Sequence, residues 1–336
     1  MKQVVLGLSG GVDSAVAAKL LQQDGYAVVG LYLDNGSEAA RADAVRTAEF
    51  LQVPLEIVDV RDELEREVCA PFAAAYLRGE TPNPCILCNP TVKFRFLLDY
   101  ANEIGAQYIA TGHYARAEGG AIYKGMPAND QSYMLCRLTR EQAERLLLPL
   151  GGLEKAEVRE LAKQFAIPVA KKPDSMEICF IPDKNYVRWL KERTVVPGPG
   201  NFVFNGEVLG QHDGIYCYTV GQRYKELYNE RRLYVSAIAP ETNTVQLCLW
   251  EDLFTCRVAV RDMNWLIDKP EGSIRASIRI RHTKWENPMA TVTAVGDGVL
   301  VETEDTLRAP APGQAAALYD GDRLIGGGFI VSGNAL

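Results

Sequence analysis

The chain has 336 residues, which exceeds the usual size of one compact core and predicts two or three domains. Its composition is ordinary for a soluble globular protein, and we find neither an apolar run long enough to cross a bilayer nor a signal peptide. These features exclude the membrane and secreted classes and predict a cytoplasmic protein. The net charge of −7 argues against a uniformly basic nucleic-acid binder, although local patches matter more than the total.

The first predicted elements are a buried strand over 4–8 and a helix that begins near Ala15. Between them lies the sequence Ser9-Gly10-Gly11-Val12-Asp13-Ser14. A glycine turn between a strand and a helix directs backbone N–H groups and the helix dipole at one point, which predicts an anion site. A carboxylate repels phosphate, so we expect a divalent cation such as Mg²⁺ to bridge Asp13 to the phosphate.

The hexapeptide resembles the pyrophosphate-binding loop (PP-loop) of the ATP pyrophosphatases, which cleave ATP to AMP and pyrophosphate. It lacks the Gly-Lys-Ser/Thr of a Walker loop and the glycine spacing of the dinucleotide-binding fingerprint. The alternative is a strand-to-helix turn that is merely capped by serine and aspartate.

Strand and helix patterns then alternate: strands over 27–33, 55–60 and 108–110, and helices over 38–52, 62–78, 92–104 and 154–166. This alternation predicts a parallel sheet with helices on both faces, and ligands bind beyond the carboxyl ends of such strands. The Ser9 loop, Leu33 and Gly112 all follow or end predicted strands, so we expect them at one edge of the sheet.

Two cysteine-bearing segments are predicted as loops. The first is 81–90, where three prolines disfavour regular structure and Cys85 and Cys88 have C-x-x-C spacing. The second is 171–182, which contains Cys179 and begins with two lysines.

The character of the chain changes near 196–200, after which short apolar runs are broken by Gly, Pro, Asn and Asp. This pattern is typical of antiparallel β structure, as a sandwich or as small barrels. With a break near 250–256, we predict three domains: a catalytic domain over 1–195, a small β-rich domain over 196–252 and a terminal β-barrel over 253–336.

Seven motifs occur in a fixed order: SGGVDS, TPNPxxxCN, ATGHY, DQSY, KKPDSxxICFI, YTVGQR and PGQ. With this set the chain resembles the tRNA-specific 2-thiouridylases over essentially its whole length. The resemblance implies an α/β PP-loop domain of the adenine nucleotide alpha hydrolase type, a small linker domain and a tRNA-contacting antiparallel β-barrel. It also implies that ATP adenylates the C2 oxygen of the wobble uridine of tRNA and that a sulfur nucleophile then displaces AMP.

By motif match, the resemblance assigns residues to two ligands. ATP, with Mg²⁺, would contact Gly7, Leu8, Ser9, Gly10, Gly11, Val12, Asp13, Ser14, Leu33 and Gly112. The tRNA would contact Asn83, Pro84, Cys85, His113, Asn129, Asp130, Gln131, Arg281, His282 and Gln314. His282 stands where the family carries an aromatic residue, and 222–226 departs from the family's glycine-containing continuation. A basic cluster, Arg275, Arg279, Arg281 and Lys284, fits an RNA-gripping module, with a solvated face as the alternative.

Cys88 and Cys179 match the family's two working cysteines. In one scheme a sulfur-carrier protein or cysteine desulfurase loads a persulfide on Cys179, whose outer sulfur attacks C2, and Cys88 resolves the product as a disulfide. Lys93, Lys171 and Lys172 would lower the thiol pKa values through their positive charge.

Cys85 departs from the family, because the better-known members carry an aspartate there. Three thiols at one point suit a [4Fe–4S] cluster with one open iron that binds sulfide, and we favour this over the persulfide relay. A structural zinc with His113 as fourth ligand and a neutral replacement of the aspartate are the alternatives. We expect the other cysteines, Cys69, Cys136, Cys217, Cys248 and Cys256, to be small core residues, and His212 to be a polar turn residue.

Two other functions are weighed. A PP-loop enzyme that is a small-molecule ligase would need neither these paired cysteines nor the β-rich half. An enzyme that thiolates tRNA at a different position is a further alternative, which mass spectrometry of the nucleosides would decide. A non-catalytic tRNA-binding or sulfur-carrier scaffold would not need the intact SGGVDS loop.

Overall fold

The computed structural model describes residues 2–170, 172–173, 178–281 and 287–331. Lys171, His282 and Lys284 therefore lie outside the described residues. The chain forms two compact units: Met1–Val68 with Cys85–Met176 and Asp322–Ile325, and Cys69–Pro84 with Glu177–Gly321 and Gly326–Leu336. Within the described ranges, no helix combines the length and the apolar character needed to cross a membrane.

The helices are α1 (Val12–Gln23), α2 (Glu38–Leu51), α3 (Arg61–Leu64), α4 (Ala70–Leu77), α5 (Pro84–Cys88), α6 (Phe94–Glu103), α7 (Arg140–Glu144), α8 (Lys155–Gln164) and α9 (Tyr186–Arg193). Wider π-helical turns over Glu65–Cys69 and Asn89–Lys93 connect α3 to α4 and α5 to α6. These bounds confirm the helices predicted from periodicity to within a few residues.

The strands described up to residue 170 are β1 (Gln3–Gly7), β2 (Ala27–Asp34), β3 (Leu55–Asp59), β4 (Tyr108–Ala110), β5 (Ala115–Glu118), β6 (Ala121–Lys124) and β7 (Leu146–Leu147). Five of them form a parallel sheet in the order β3-β2-β1-β4-β7, as predicted. The central strand β1 is buried through Val4, Val5 and Leu6, and the alanines of α1 pack against it. Because their side chains are small, α1 lies close to the sheet and the loop that joins β1 to α1 is tightly fixed.

The segment 81–90 forms the predicted loop only over residues 81–83, and helical structure begins at Pro84. Pro84 is the first residue of α5, a position where proline is tolerated because its missing N–H has no intrahelical partner. Pro90 is the second residue of the π-helical turn Asn89–Lys93. Cys85 and Cys88 therefore lie on one helical turn, at positions i and i+3 that neighbour each other on a helix surface.

The β-rich strands are β8 (Gly200–Phe204), β9 (Glu207–His212), β10 (Arg223–Tyr228), β11 (Arg231–Ala239), β12 (Thr244–Cys248), β13 (Phe254–Trp265), β14 (Ser273–Arg279), β15 (Met289–Val295), β16 (Gly298–Arg308), β17 (Ala315–Asp320) and β18 (Arg323–Ile330). The first five form one sheet in the order β10-β11-β12-β8-β9. The last six follow the order β13-β16-β15-β14-β17-β18, and β13 pairs again with β18, which closes the predicted barrel.

Burial corrects the prediction of Cys217 and Cys256 as core residues and of His212 as a polar turn residue. Cys69, Cys136 and Cys248 are buried as expected, but Cys217 is half-buried and Cys256 is exposed at the start of β13. His212 is the last residue of β9, is 2% exposed and packs against the rings of Phe202 and Tyr218. Its imidazole is thus a core group and not a polar turn residue.

Candidate nucleotide site and cysteine segments

The loop between β1 and α1 has a conformation that only glycine fits at its centre. Gly10 has φ +69°, and a Cβ there would lie 2.7 Å from the backbone nitrogen of Ala44. Gly11 is the N-cap of α1 and has no side chain to occupy the amides of the first turn. The Oγ atoms of Ser9 and Ser14 lie 3.3 Å apart. Backbone amides, hydroxyls and the positive end of a twelve-residue helix therefore meet here, which is the donor set that binds a phosphate chain.

Asp13 has a cationic partner that the sequence did not reveal. Lys155, the first residue of α8, places its Nζ 2.7 Å from both carboxylate oxygens, and the hydroxyl of buried Tyr114 donates at 2.8 Å. In this structure the ammonium group of Lys155 balances the charge of Asp13, and the bridging of Asp13 to a phosphate by Mg²⁺ stays a prediction. Asp13 and Lys155 are separated by 142 positions, and no local pattern links them.

A second lysine, Lys172, contacts both the phosphate loop and helix α2. The Nζ of Lys172 donates to Asp43 Oδ2 at 2.6 Å and to the carbonyl oxygen of Gly10 at 3.3 Å. Arg159 donates from Nη1 to the carbonyl of Lys172 at 2.6 Å. The hydrogen bond from Lys172 is the main cause that holds the pKa of the Asp43 carboxyl below its usual range. Lys172 was predicted to lower a thiol pKa, and the described contacts of its ammonium group are with Gly10 of the phosphate loop and Asp43 of α2.

The residues predicted to flank adenosine lie at the same edge of the sheet. Leu33 is the penultimate residue of β2, and Gly112 follows β4; these strands are the two neighbours of β1. A Cβ on Gly112 would lie 2.9 Å from the carbonyl carbon of Asp13, so this glycine permits a close approach to α1.

His113 and the 129–131 segment are largely engaged within the protein. The Nδ1 of His113 lies 2.7 Å from Thr111 Oγ1, and burial, followed by the charge of Lys93, lowers the imidazole pKa well below its usual value. Asp130 is 6% exposed and accepts hydrogen bonds from the backbone of Gly125 and from Ser132. The neutral imidazole offers a hydrogen-bonding group, not a charge, to any ligand.

The helix that carries two cysteines is held in place by amide side chains. Asn89 is buried and donates to the carbonyl of Met134 at 2.7 Å, and Gln142 donates to the carbonyl of Pro90 at 2.9 Å. On this fixed frame Cys85 is exposed and Cys88 is half-buried.

Cys179 is also exposed, and its neighbours anchor it. Ile178, Phe180 and Ile181 belong to an apolar cluster with Phe72 of α4 and Leu190 of α9. A thiol on the outer side of a packed turn is accessible to a reagent or partner.

No metal centre is found among the described residues: no three or more His, Cys, Asp or Glu side chains there are arranged to hold an ion. All three thiols of the predicted cluster and His113 of the alternative zinc site lie within those residues. The described residues thus give no support to a [4Fe–4S] cluster or a structural zinc, and we derive no step through either group.

The predicted RNA contacts of the barrel bind the protein itself in this structure. Gln314 donates from Nε2 to the carbonyl of Thr81 at 2.8 Å, and Arg281 donates to the carbonyls of Arg308 and Ala309. Arg275 is exposed and forms an ion pair with Glu304.

Family comparisons match three stretches of the chain. Residues 2–183 match a tRNA methyl transferase HUP domain, residues 189–248 a tRNA methyl transferase PRC-barrel domain, and residues 256–330 an aminomethyltransferase beta-barrel domain.

Curated relatives match over nearly the whole chain. Proteins of Clostridium perfringens and Carboxydothermus hydrogenoformans, each named tRNA-specific 2-thiouridylase MnmA, are 41% and 42% identical to it. Both alignments cover 98% of this chain, and they cover 99% and 97% of the respective relatives. Among solved structures, a 4-thiouridine synthetase in complex with RNA and ATP is 22% identical over 57% of this chain and 50% of its own, with a TM-score of 0.38.

Proposed function

Because the chain belongs to the tRNA-specific 2-thiouridylase family, we propose that it uses ATP to replace the C2 oxygen of the wobble uridine of tRNA with sulfur. The observation that carries this proposal is the intact phosphate loop in a member of that family. Gly10 has the glycine-only conformation, and the N-terminus of α1 follows directly.

In the first half-reaction, the loop would bind the phosphates of ATP while Leu33 and Gly112 flank the adenosine. The C2 oxygen of uridine attacks the α-phosphorus, pyrophosphate leaves, and an adenylated base remains. Amides of α1 and the ammonium of Lys155 stabilise the negative charge that develops on the leaving group. Asp13 is the loop carboxylate that would hold Mg²⁺, which would supply positive charge to the phosphates of ATP.

In the second half-reaction, we propose a relay of sulfur through Cys88 and Cys179, the two thiols that match the family's working cysteines. A sulfur-carrier protein or cysteine desulfurase would load Cys179 as a persulfide, and exposure makes this thiol accessible to such a donor. The terminal sulfur attacks C2 and AMP leaves. The Cys88 thiolate then attacks the Cys179 sulfur, which releases 2-thiouridine and forms a disulfide that an external thiol reduces. Cys85 has no step in this relay.

The tRNA would be bound by both halves of the chain. Asn83, Pro84 and Cys85 would lie beside the target base, His113 and the 129–131 segment would contact the RNA, and Arg281 and Gln314 would contact it from the barrel. Because Asp130 is buried and hydrogen-bonded, its part would be to shape the turn that presents Asn129 and Gln131. We also propose that the boundaries between the three domains lie at residues 195 and 252.

The test is reconstitution with tRNA transcript, ATP, cysteine and a cysteine desulfurase, followed by mass spectrometry of the nucleosides. We expect 2-thiouridine at the wobble position, tRNA-dependent pyrophosphate release, and no thiolation with Cys179→Ser. Cys256→Ser, which removes another exposed thiol, serves as the matched control and should retain activity. Sulfur at another nucleotide, or pyrophosphate release with a small-molecule acceptor and no tRNA, would refute the proposal.

The source of sulfur has its own test. We expect protein purified without oxygen to contain less than one iron per chain and to need a persulfide donor. About four irons and four acid-labile sulfides per chain, lost in Cys85→Ala, would instead establish the cluster.

A further inference from the structure

The phosphate loop contains two consecutive glycines, and this makes one of its peptide planes easy to invert. A flip of the Gly10–Gly11 peptide changes ψ of Gly10 and φ of Gly11, and neither residue has a Cβ to resist that change. Because the C=O and N–H of a trans peptide point in opposite directions, the flip would exchange their positions. A carbonyl oxygen would then face the bound phosphates where an N–H should be.

We propose that Lys172 is a positioning residue that prevents this flip. It fixes the carbonyl of Gly10 on its own side of the loop, so that the Gly11 N–H is directed to the opposite side. The inference rests on the proposed ATP site and adds to it a residue that the ATP-binding motif does not contain.

The geometry around Lys172 is that of an anchored group. Its ammonium bridges Gly10 O at 3.3 Å and Asp43 Oδ2 at 2.6 Å, so one end of the bridge is the loop and the other is α2. Arg159 of α8 holds the backbone on either side of residue 171 by donating to the carbonyls of Ala170 and Lys172, at 3.0 and 2.6 Å. The lysine is therefore fixed at its backbone and at its tip.

Asp43 is placed to serve this bridge. A Cβ on Gly10 would lie 2.8 Å from the Cβ of Asp43, so the two backbones are in close contact. The carboxylate is 16% exposed and also pairs with Arg46. Its lowered pKa keeps it ionised throughout the neutral range, and the bridge is therefore present at working pH.

The competing interpretation is that Lys172 leaves Asp43 and binds a phosphate directly. The two interpretations differ in what Asp43 does. If Lys172 positions the peptide, loss of the carboxylate loosens the bridge and weakens phosphate binding. If Lys172 is a phosphate ligand, loss of the carboxylate frees the ammonium and removes a negative charge, so phosphate binding becomes tighter.

The experiment is calorimetric titration of the full-length protein with ATP, pyrophosphate and adenosine. The variants are Lys172→Met, Lys172→Arg and Asp43→Asn, with Lys163→Met as the matched control because Lys163 is an exposed lysine paired with Glu160. We expect Lys172→Met to weaken ATP and pyrophosphate binding about tenfold, as loss of one charged hydrogen bond would, while adenosine binding stays unchanged. Asp43→Asn should weaken the same two ligands by a smaller factor, Lys172→Arg should rescue binding, and Lys163→Met should match the wild type.

Other outcomes overturn the inference. Tighter binding of ATP by Asp43→Asn would assign Lys172 as a direct ligand, and equal losses for ATP and adenosine would show general damage to the fold. If the wild type binds ATP and pyrophosphate but makes no 2-thiouridine, the proposed function fails while the positioning role is still decided by these titrations. If it binds neither ligand, both are refuted.

Discussion

The phosphate loop and the barrel both pair cations with carboxylates, but they do so in different surroundings. Asp13 and Asp43 at the loop are sheltered, with side chains 31% and 16% exposed, whereas Glu302 and Glu304 on the barrel are more than half exposed. Solvent and salt screen exposed pairs, and a sheltered charge that loses its partner stays poorly solvated. Loss of an ion pair is thus expected to reduce stability and activity strongly at the loop and to change them very little on the barrel.

The largest effect is expected for Asp13→Ala. A small effect of this change would contradict the difference between ion pairs at the loop and on the barrel. The change leaves Lys155 without its carboxylate and removes the acceptor of the Tyr114 hydroxyl. We expect tRNA-dependent pyrophosphate release to fall at least about a hundredfold and the free energy of unfolding to fall by about 2 kcal/mol. Initial rates and urea denaturation measure the two quantities. A rate within about threefold of the wild type would show that the loop pair is as dispensable as a surface pair.

The next effect concerns glycine and separates backbone conformation from close contact. Gly10 and Gly25 both have positive φ, +69° and +82°, but a Cβ would strike Ala44 only at Gly10 and would meet nothing at Gly25. We expect Gly25→Ala to reduce the free energy of unfolding by about 1 kcal/mol and Gly10→Ala to reduce it by at least twice as much. Only Gly10→Ala should also lose ATP binding. Equal losses of stability in the two variants would show that helix α2 yields to the added methyl group.

A smaller effect is expected for His212, a buried group whose protonation makes stability depend on pH. Burial lowers the pKa of His212, and its Nδ1 accepts a hydrogen bond from the backbone of Gly214. The unfolded chain therefore binds a proton at this histidine more readily than the native protein does. The free energy of unfolding falls as the pH drops below about 6.5, by at most about 1.4 kcal/mol per pH unit, and this fall ends once the pH is below the lower pKa of the native state. His212→Asn, which can accept the same bond, should have a shallower slope in urea midpoints measured between pH 7.5 and 5.

The smallest effect is expected on the barrel. Arg257→Gln and Glu302→Gln break an exposed cross-strand pair, and each should change the free energy of unfolding by less than about 0.5 kcal/mol without altering ATP affinity. A double-mutant cycle on this pair gives the coupling energy directly. A coupling above about 1 kcal/mol would remove the distinction between the two regions.

Periodicity and turn chemistry were sufficient to predict the parallel sheet, the loop and the β-rich half, because each depends on neighbouring residues. They failed where contacts join distant positions. Lys155 compensates Asp13 and Lys172 holds Gly10, and neither pair leaves a local signal. Pro84 led to the prediction of a loop because proline disrupts the interior of a helix. Proline is also tolerated in the first turn, and the sequence does not show which position within a helix it occupies.

The π-helical turn over Asn89–Lys93 sets the direction of the two thiols of α5 relative to the buried face of α6. Such a turn holds an extra residue compared with regular α-helix, and each residue of a helix corresponds to about 100° of rotation about its axis. Phe94 and Leu97 of α6 are fixed in the interior. The length of this turn therefore determines the angle about the helix axis between these two residues and the cysteines Cys85 and Cys88. Because Ile86 of α5 is fully buried between the two cysteines, insertion or deletion of a single residue in this turn would redirect both thiols only by moving Ile86 out of the core.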